Sequence, residues 1–187
     1  MEISNALLVA IMFVILLSLG IGTLLAGLAI TIARGRETGV SRIHVSWLIL
    51  MLLVYFNLFW HTLDVLGLEE WGFAGFLYIV TGPILLFFAT TILVPDGGED
   101  SSGGDAGYLA VSRPFFLTLA LAQVWIIGSD FVLGKGLTGG AAFNAIVIAL
   151  ALLLASTRSI RVHTVGATLA WVLFLSAITL SSLGLIT

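Results

Sequence analysis

HVSWLILMLLVYFNLFWHTLDVLG, residues 44–67, is the stretch that decides the fold. Between Arg42 and Asp64 it holds no lysine, arginine, aspartate or glutamate. A hydrocarbon core about 30 Å thick is crossed by about 20 apolar residues as a helix, and this stretch supplies them. The segments 6–33, 73–94, 109–133, 138–157 and 163–185 do the same. None has the in-and-out alternation of a barrel strand, so helix is the one way to satisfy their backbone in lipid. The expectation is an all-α membrane protein: a compact bundle of six transmembrane helices forming one domain over residues 1–187.

The rest of the chain agrees. Of 187 residues, 60% are apolar and 9% charged, and the mean hydropathy is +1.20. A soluble domain carries about 25% charged residues. Such a chain cannot clothe a water-soluble surface, which rules out a Rossmann enzyme, a nucleic-acid module and a secreted disulfide scaffold. With no cysteine, iron–sulfur clusters and thiol chemistry are excluded as well. The first segment does not read as a cleaved signal peptide. Its apolar run far exceeds a signal core of about 7–15 residues, and Glu2 stands where a basic flank belongs.

Basic residues set the orientation. With six spans, the first, third and fifth loops share one side and hold Arg34, Arg36, Arg42, Arg113, Arg158 and Arg161, whereas the other side holds Lys135. The positive-inside rule makes the arginine side cytoplasmic and places both termini on the non-cytoplasmic side. The longest loop, 96–107, reads DGGEDSSGGDAG. Its glycines and acidic residues predict a flexible, solvated cytoplasmic linker, and the EF-hand spacing is missing. Together with a pI near 5.4, this composition suits a salt-adapted source.

Helices in lipid associate through close backbone approach or polar contacts. Small residues recur at Ala141, Ala145 and Ala149, at Gly166 with Ala170, at Ala177 with Ser181, and at Gly22 with Ala26. They read as packing seams. Gly82-Pro83 lies near the centre of the third segment. Proline removes one backbone hydrogen bond and favours a bend, and the carbonyl freed near Ile79 needs a partner within the bundle. Thr81 is close enough to help. The stretch FLYIVTGPILLFFATTILVP, Phe76–Pro95, resembles the third helix of a group of uncharacterised prokaryotic six-helix integral membrane proteins. In that group, too, an aromatic-rich second helix precedes a Gly-Pro helix ending in proline. The resemblance runs from Trp47 to Asp96 and implies a fold, with no catalytic activity.

Polar side chains at membrane depth are costly and point to function. Asn57, His61 and Asp64 recur at i, i+4 and i+7 on the second segment, and Gln123 and Asp130 at i and i+7 on the fourth. Each set shares one helix face. At 1.5 Å per residue from the arginines, Asn57 lies about 20 Å deep, His61 about 26 Å, Asp64 about 30 Å, Gln123 about 15 Å and Asp130 about 25 Å. The expectation is a polar pocket between helices two and four, opening outward, with Trp60 and Trp125 among its aromatic walls. His61 beside Asp130 can exchange protons at physiological pH, hold two helices together, or join Asp64 as mixed N/O metal ligands. His44 and His163 open helices two and six in the similar tripeptides Arg42-Ile43-His44 and Arg161-Val162-His163. At the cytoplasmic edge they read as interface anchors, too shallow for a transmembrane haem.

The functional expectation is a small membrane protein that conducts, transports or senses a small ion, the proton first. It is read as a non-enzyme without a cofactor, in the plasma membrane of a prokaryote. Its partners are the lipid bilayer and a further copy of itself, and not nucleic acid. The alternative is an accessory subunit of a larger membrane complex, and a third reading is a membrane-embedded metal-dependent enzyme.

Overall fold

The computed structural model describes residues 5–38, 41–60, 72–94, 104–132 and 139–182, with side chains for 7–33, 41–60, 72–94, 104–129 and 140–182. Six helices account for nearly all of them: α1 (Asn5–Thr38), α2 (Arg42–Trp60), α3 (Phe73–Leu93), α4 (Gly104–Val132), α5 (Gly139–Ser156) and α6 (Ile160–Ser182). No strand occurs among the described residues. Five of the helices are long and apolar enough to cross a membrane, and α5 is a shorter apolar helix. Its 18 residues come to about 27 Å, close to the least a bilayer core requires.

The helices pack in a circuit, α1 on α3, α3 on α4, α4 on α5, α5 on α6, α6 on α2 and α2 back on α1, with α2 also touching α3 and α4. The most extensive contacts are those α4 makes with α5 and α3. The N-terminal ends of α2, α4 and α6 meet the C-terminal ends of α3 and α5 through His44–Leu93, Tyr108–His163 and His163–Thr157 contacts. That end of the bundle also carries exposed Arg42, Arg158 and Arg161.

Large apolar side chains face outward along every helix, among them Ile15 (61% exposed), Phe73 (75%), Leu153 (55%) and Val165 (60%). A monomer in water seldom exposes continuous apolar surface on this scale; hydrocarbon tolerates it. The interior is aromatic and closely packed, with Tyr55, Tyr108, Phe115 and Phe116 fully enclosed.

Several boundaries, the end of α1 and the start of α4 most of all, and two seams differ from the sequence reading. α4 begins at Gly104, five residues before the expected start at 109. Gly104 takes φ +68°, Asp105 in the first turn suits the positive end of the helix dipole, and fully buried Tyr108 ties that turn to the core. α1 continues to Thr38, beyond the expected 33, so the helical backbone runs through Arg34 and Arg36. The expected seam of Gly22 and Ala26 faces outward; Gly20, Leu24 and Gly27 face inward instead. The ring of Tyr55 lies directly on Gly20, where a Cβ would overlap it. Ala145 and Ala149 are likewise exposed, whereas Ala151, Leu154 and Ala155 are buried. Gly166 does serve as a seam, packed against Leu154.

Candidate functional site

The sequence-predicted pocket is only partly within view. His61 and Asp64 lie outside the described residues, and so does the side chain of Asp130, whose backbone belongs to α4. Asn57 is exposed on α2, and Trp60 at the end of that helix is 74% exposed. Gln123 is half-buried on α4. Neither amide makes a hydrogen bond among the described residues.

Trp125 and the Gly82-Pro83 step do come together. Trp125 lies on Gly82, which has no side chain to obstruct the indole. The Trp125 N–H donates to the Tyr78 carbonyl over 2.7 Å, and the Tyr78 hydroxyl donates to the Trp125 carbonyl over 3.0 Å. Their rings stack at 27°, with centroids 6.0 Å apart. Helix α3 is continuous through Pro83. The sequence reading expected an interior partner for the carbonyl near Ile79. Trp125 supplies one for the adjoining carbonyl, Tyr78, while the Thr81 hydroxyl donates to Leu77 over 2.7 Å.

The most polar buried assembly among the described side chains is formed around His44 and His163, which the sequence marks as interface anchors and the structure encloses. It stands at the arginine end and is built on helix starts. Ser41 precedes α2, and its hydroxyl accepts from the His44 backbone N–H over 3.3 Å, an N-cap that fixes the first turn. From there His44 Nε2 reaches the Leu93 carbonyl over 2.6 Å. Leu93 is the last residue of α3, and its carbonyl is among those a helix end leaves without an intrahelical donor.

His163 is placed in a parallel way. Its backbone N–H donates to the Ser159 carbonyl in the first turn of α6 over 3.1 Å. Its ring is fully buried, with Nε2 3.1 Å from the Thr157 carbonyl just beyond α5 and Nδ1 2.8 Å from the Tyr108 hydroxyl of α4. The Tyr108 ring contacts both histidines, its centroid 5.2 Å from His163 and 5.9 Å from His44. Phe116 packs against the His163 ring, centroids 5.6 Å apart, and itself meets Trp47 and Phe115 edge to face. The Trp47 N–H is the one buried side-chain polar atom among the described residues without a hydrogen-bond partner.

These partners define the protonation pattern. A carbonyl only accepts, so Nε2 carries hydrogen in both histidines. In a neutral His163, Nδ1 is then the acceptor and Tyr108 the donor. Every polar atom of that ring is satisfied without a charge. A second proton on His163 would enter at Nδ1, and the Tyr108 hydroxyl would have to turn from donor to acceptor. Among the described residues no three His, Cys, Asp or Glu side chains are grouped to hold a metal ion.

An all-helical bundle with five candidate spans and apolar side chains facing outward fits an integral, multi-pass membrane protein in a lipid bilayer. Comparison with protein-family models, with curated proteins and with solved structures gave no match.

Proposed function

We propose that this membrane protein senses or passes a small ion, the proton first, through polar side chains held inside the bundle. The observation that carries the reading is the buried hydrogen bond between Tyr108 and His163, with the His44 ring in contact with the same tyrosine. Histidine is the side chain whose ordinary ionisation falls nearest neutral pH. Here one histidine is hydrogen-bonded to a hydroxyl that can either donate or accept and another packs against the same tyrosine ring, at the bundle end that carries the exposed arginines. Protonation of His163 reverses one hydrogen bond that links α4 to α6, and the same ring holds the end of α5. A proton arriving from the aqueous phase on that side would therefore act on three helices.

Purified protein in proteoliposomes under an imposed pH gradient tests this reading. Parent protein is expected to move protons, or to change conformation on acidification. Tyr108→Phe and His163→Asn are expected to abolish or displace that response. A parent protein that neither moves protons nor changes between pH 5 and pH 8 overturns the proposal.

A second reading, membership of a larger membrane assembly, is favoured by a different observation. Asn57 turns its amide away from the bundle at membrane depth. A polar group there calls for a protein partner.

A further inference from the structure

Arg42 and Arg161 stand at matching points of α2 and α6. Each lies two residues before a histidine whose ring contacts Tyr108, so the two helices, which start at the same end of the bundle, reach that level together. Two residues turn a helix by about 200°. The histidines are buried, and the arginines are exposed on the opposite sides of their helices. α2 and α6 pack together, and the Trp171 N–H donates to the Ser46 hydroxyl over 2.8 Å where they meet.

A groove lies outward of that hydrogen bond. On α2, steps of four, three and four residues lead from Arg42 through half-buried Ser46 and exposed Ile49 to half-buried Leu53. On α6, steps of three, four and four lead from Arg161 through Thr164 and Thr168 to Val172, all exposed. Each series is one side of its helix. The charge is confined to the mouth. Below it, the two threonine hydroxyls already donate to carbonyls of their own helix, which leaves methyl groups and apolar side chains along the walls.

Nothing within either helix accounts for a cation in its first turn, where the dipole is positive and favours an anion. Neither guanidinium is paired with a carboxylate among the described residues. Arginine presents a planar fork of donors that fits the oxygens of a phosphate, and basic pockets between transmembrane helices bind anionic headgroups.

We infer that the groove between α2 and α6 binds an anionic phospholipid, its phosphate held by Arg42 and Arg161 and its acyl chains lying over Ile49, Leu53 and Val172. Both parts of such a molecule are matched. Two cations stand at headgroup level, and from Arg161 to Val172 the wall below them runs about 16 Å along the helix axis. A zwitterionic lipid brings a cation of its own to the arginines, so the pair selects net negative charge. The inference rests on the bilayer environment and is independent of the proton proposal.

The chain has no cysteine, so a fluorophore on a single introduced cysteine reports one place. Ile49→Cys puts it in the groove. Phe88→Cys puts it on the exposed side of α3 at equal depth, since His44 bonds the Leu93 carbonyl and Phe88 is as far from Leu93 as Ile49 is from His44. In phosphatidylcholine vesicles, a minor share of phosphatidylglycerol with brominated chains is expected to quench the Ile49→Cys label more than the same share of brominated phosphatidylcholine. At Phe88→Cys the two lipids are expected to quench alike. Arg42→Gln and Arg161→Gln should each lower the relative affinity for phosphatidylglycerol about fivefold, the factor one basic residue contributes beside anionic lipid. Arg42→Lys should retain part of it, and Arg113→Gln on α4 all of it. The melting profile of each arginine variant separates lost lipid binding from misfolding. Equal quenching by the two lipids at Ile49→Cys overturns the inference without any arginine variant. So does an equal preference at Phe88→Cys, which would mean attraction by the charged surface as a whole. Loss of the preference on adding inorganic phosphate at constant ionic strength assigns the arginines to a free anion and overturns it as well.

Discussion

Tyr108 and His163 meet edge to face at 90°, with the tyrosine hydroxyl 2.8 Å from Nδ1, although 55 residues of chain separate them. The contact joins α4 to α6 inside an aromatic enclosure, and the other ring nitrogen anchors the turn after α5. One imidazole thereby ties three helices together. Its burial makes the hydrogen bond count: loss of one partner strands the other where water cannot replace it.

Tyr108→Phe should lower the stability of the bundle by about 1–3 kcal/mol, since it leaves His163 Nδ1 without a donor. His163→Ala should cost more, because the Thr157 carbonyl and the Tyr108 hydroxyl both lose their partner. If the bond itself carries the effect, the double variant will be less destabilised than the two single losses added together. Thermal unfolding of the four proteins in one detergent measures this. Strict additivity would place the effect elsewhere.

The distribution of basic residues makes a topological prediction. Residues 34–42, the acidic stretch around Ser102 and residues 158–161 should face the cytoplasm. A single cysteine at Ser102 should resist a membrane-impermeant reagent in intact cells and react after lysis. Reaction in intact cells would reverse the assigned orientation.

The pocket expected around His61 and Asp130 has its own test. If these side chains cooperate in moving an ion, His61→Ala and Asp130→Asn should each reduce flux in proteoliposomes and leave the melting profile near that of the parent. If they serve only to hold α2 to α4, both variants should melt lower. Unfolding without a separate loss of flux removes the transport role.

What the sequence made legible, and what it hid, follows from the nature of a membrane helix. Six apolar runs were readable because the bilayer sets a length that each must meet. Which face turns inward was not readable. A helix apolar on all sides has no polar stripe to mark its outside, so Gly22-Ala26 looked as good a seam as Gly20-Gly27. The Tyr55 ring on Gly20 and the Val94 side chain on Gly27 distinguish them, with nothing beside Gly22. The two histidine tripeptides were visible, and so was their position at the arginine end. Their burial was not, because it depends on Leu93, Tyr108 and Thr157, which come from three other parts of the chain. The same holds for Asn57. Its depth follows from counting residues, but its outward direction follows from how α2 sits between α1 and α6.

Gly82→Ala sets helix propensity against packing. By propensity alone, alanine in place of glycine within a helix should stabilise it by about 0.8–1.0 kcal/mol. Here the added methyl would overlap the Trp125 ring, and that ring cannot retreat freely. Its N–H is held by the Tyr78 carbonyl over 2.7 Å, and its own backbone carbonyl accepts from the Tyr78 hydroxyl over 3.0 Å. Relief of the overlap would require α3 and α4 to separate or the indole to turn and give up its hydrogen bond to the Tyr78 carbonyl. Overpacking of this kind costs about 1–3 kcal/mol, so the net change should be destabilising despite the better helix former. Trp125→Phe in the Gly82→Ala background gives a smaller ring and should recover part of the loss, although Trp125→Phe alone should destabilise through the lost hydrogen bond. Melting temperatures of the two single variants and the double variant in one lipid or detergent decide the sign. A more stable Gly82→Ala would mean that the indole does not hold α4 against α3 at this glycine.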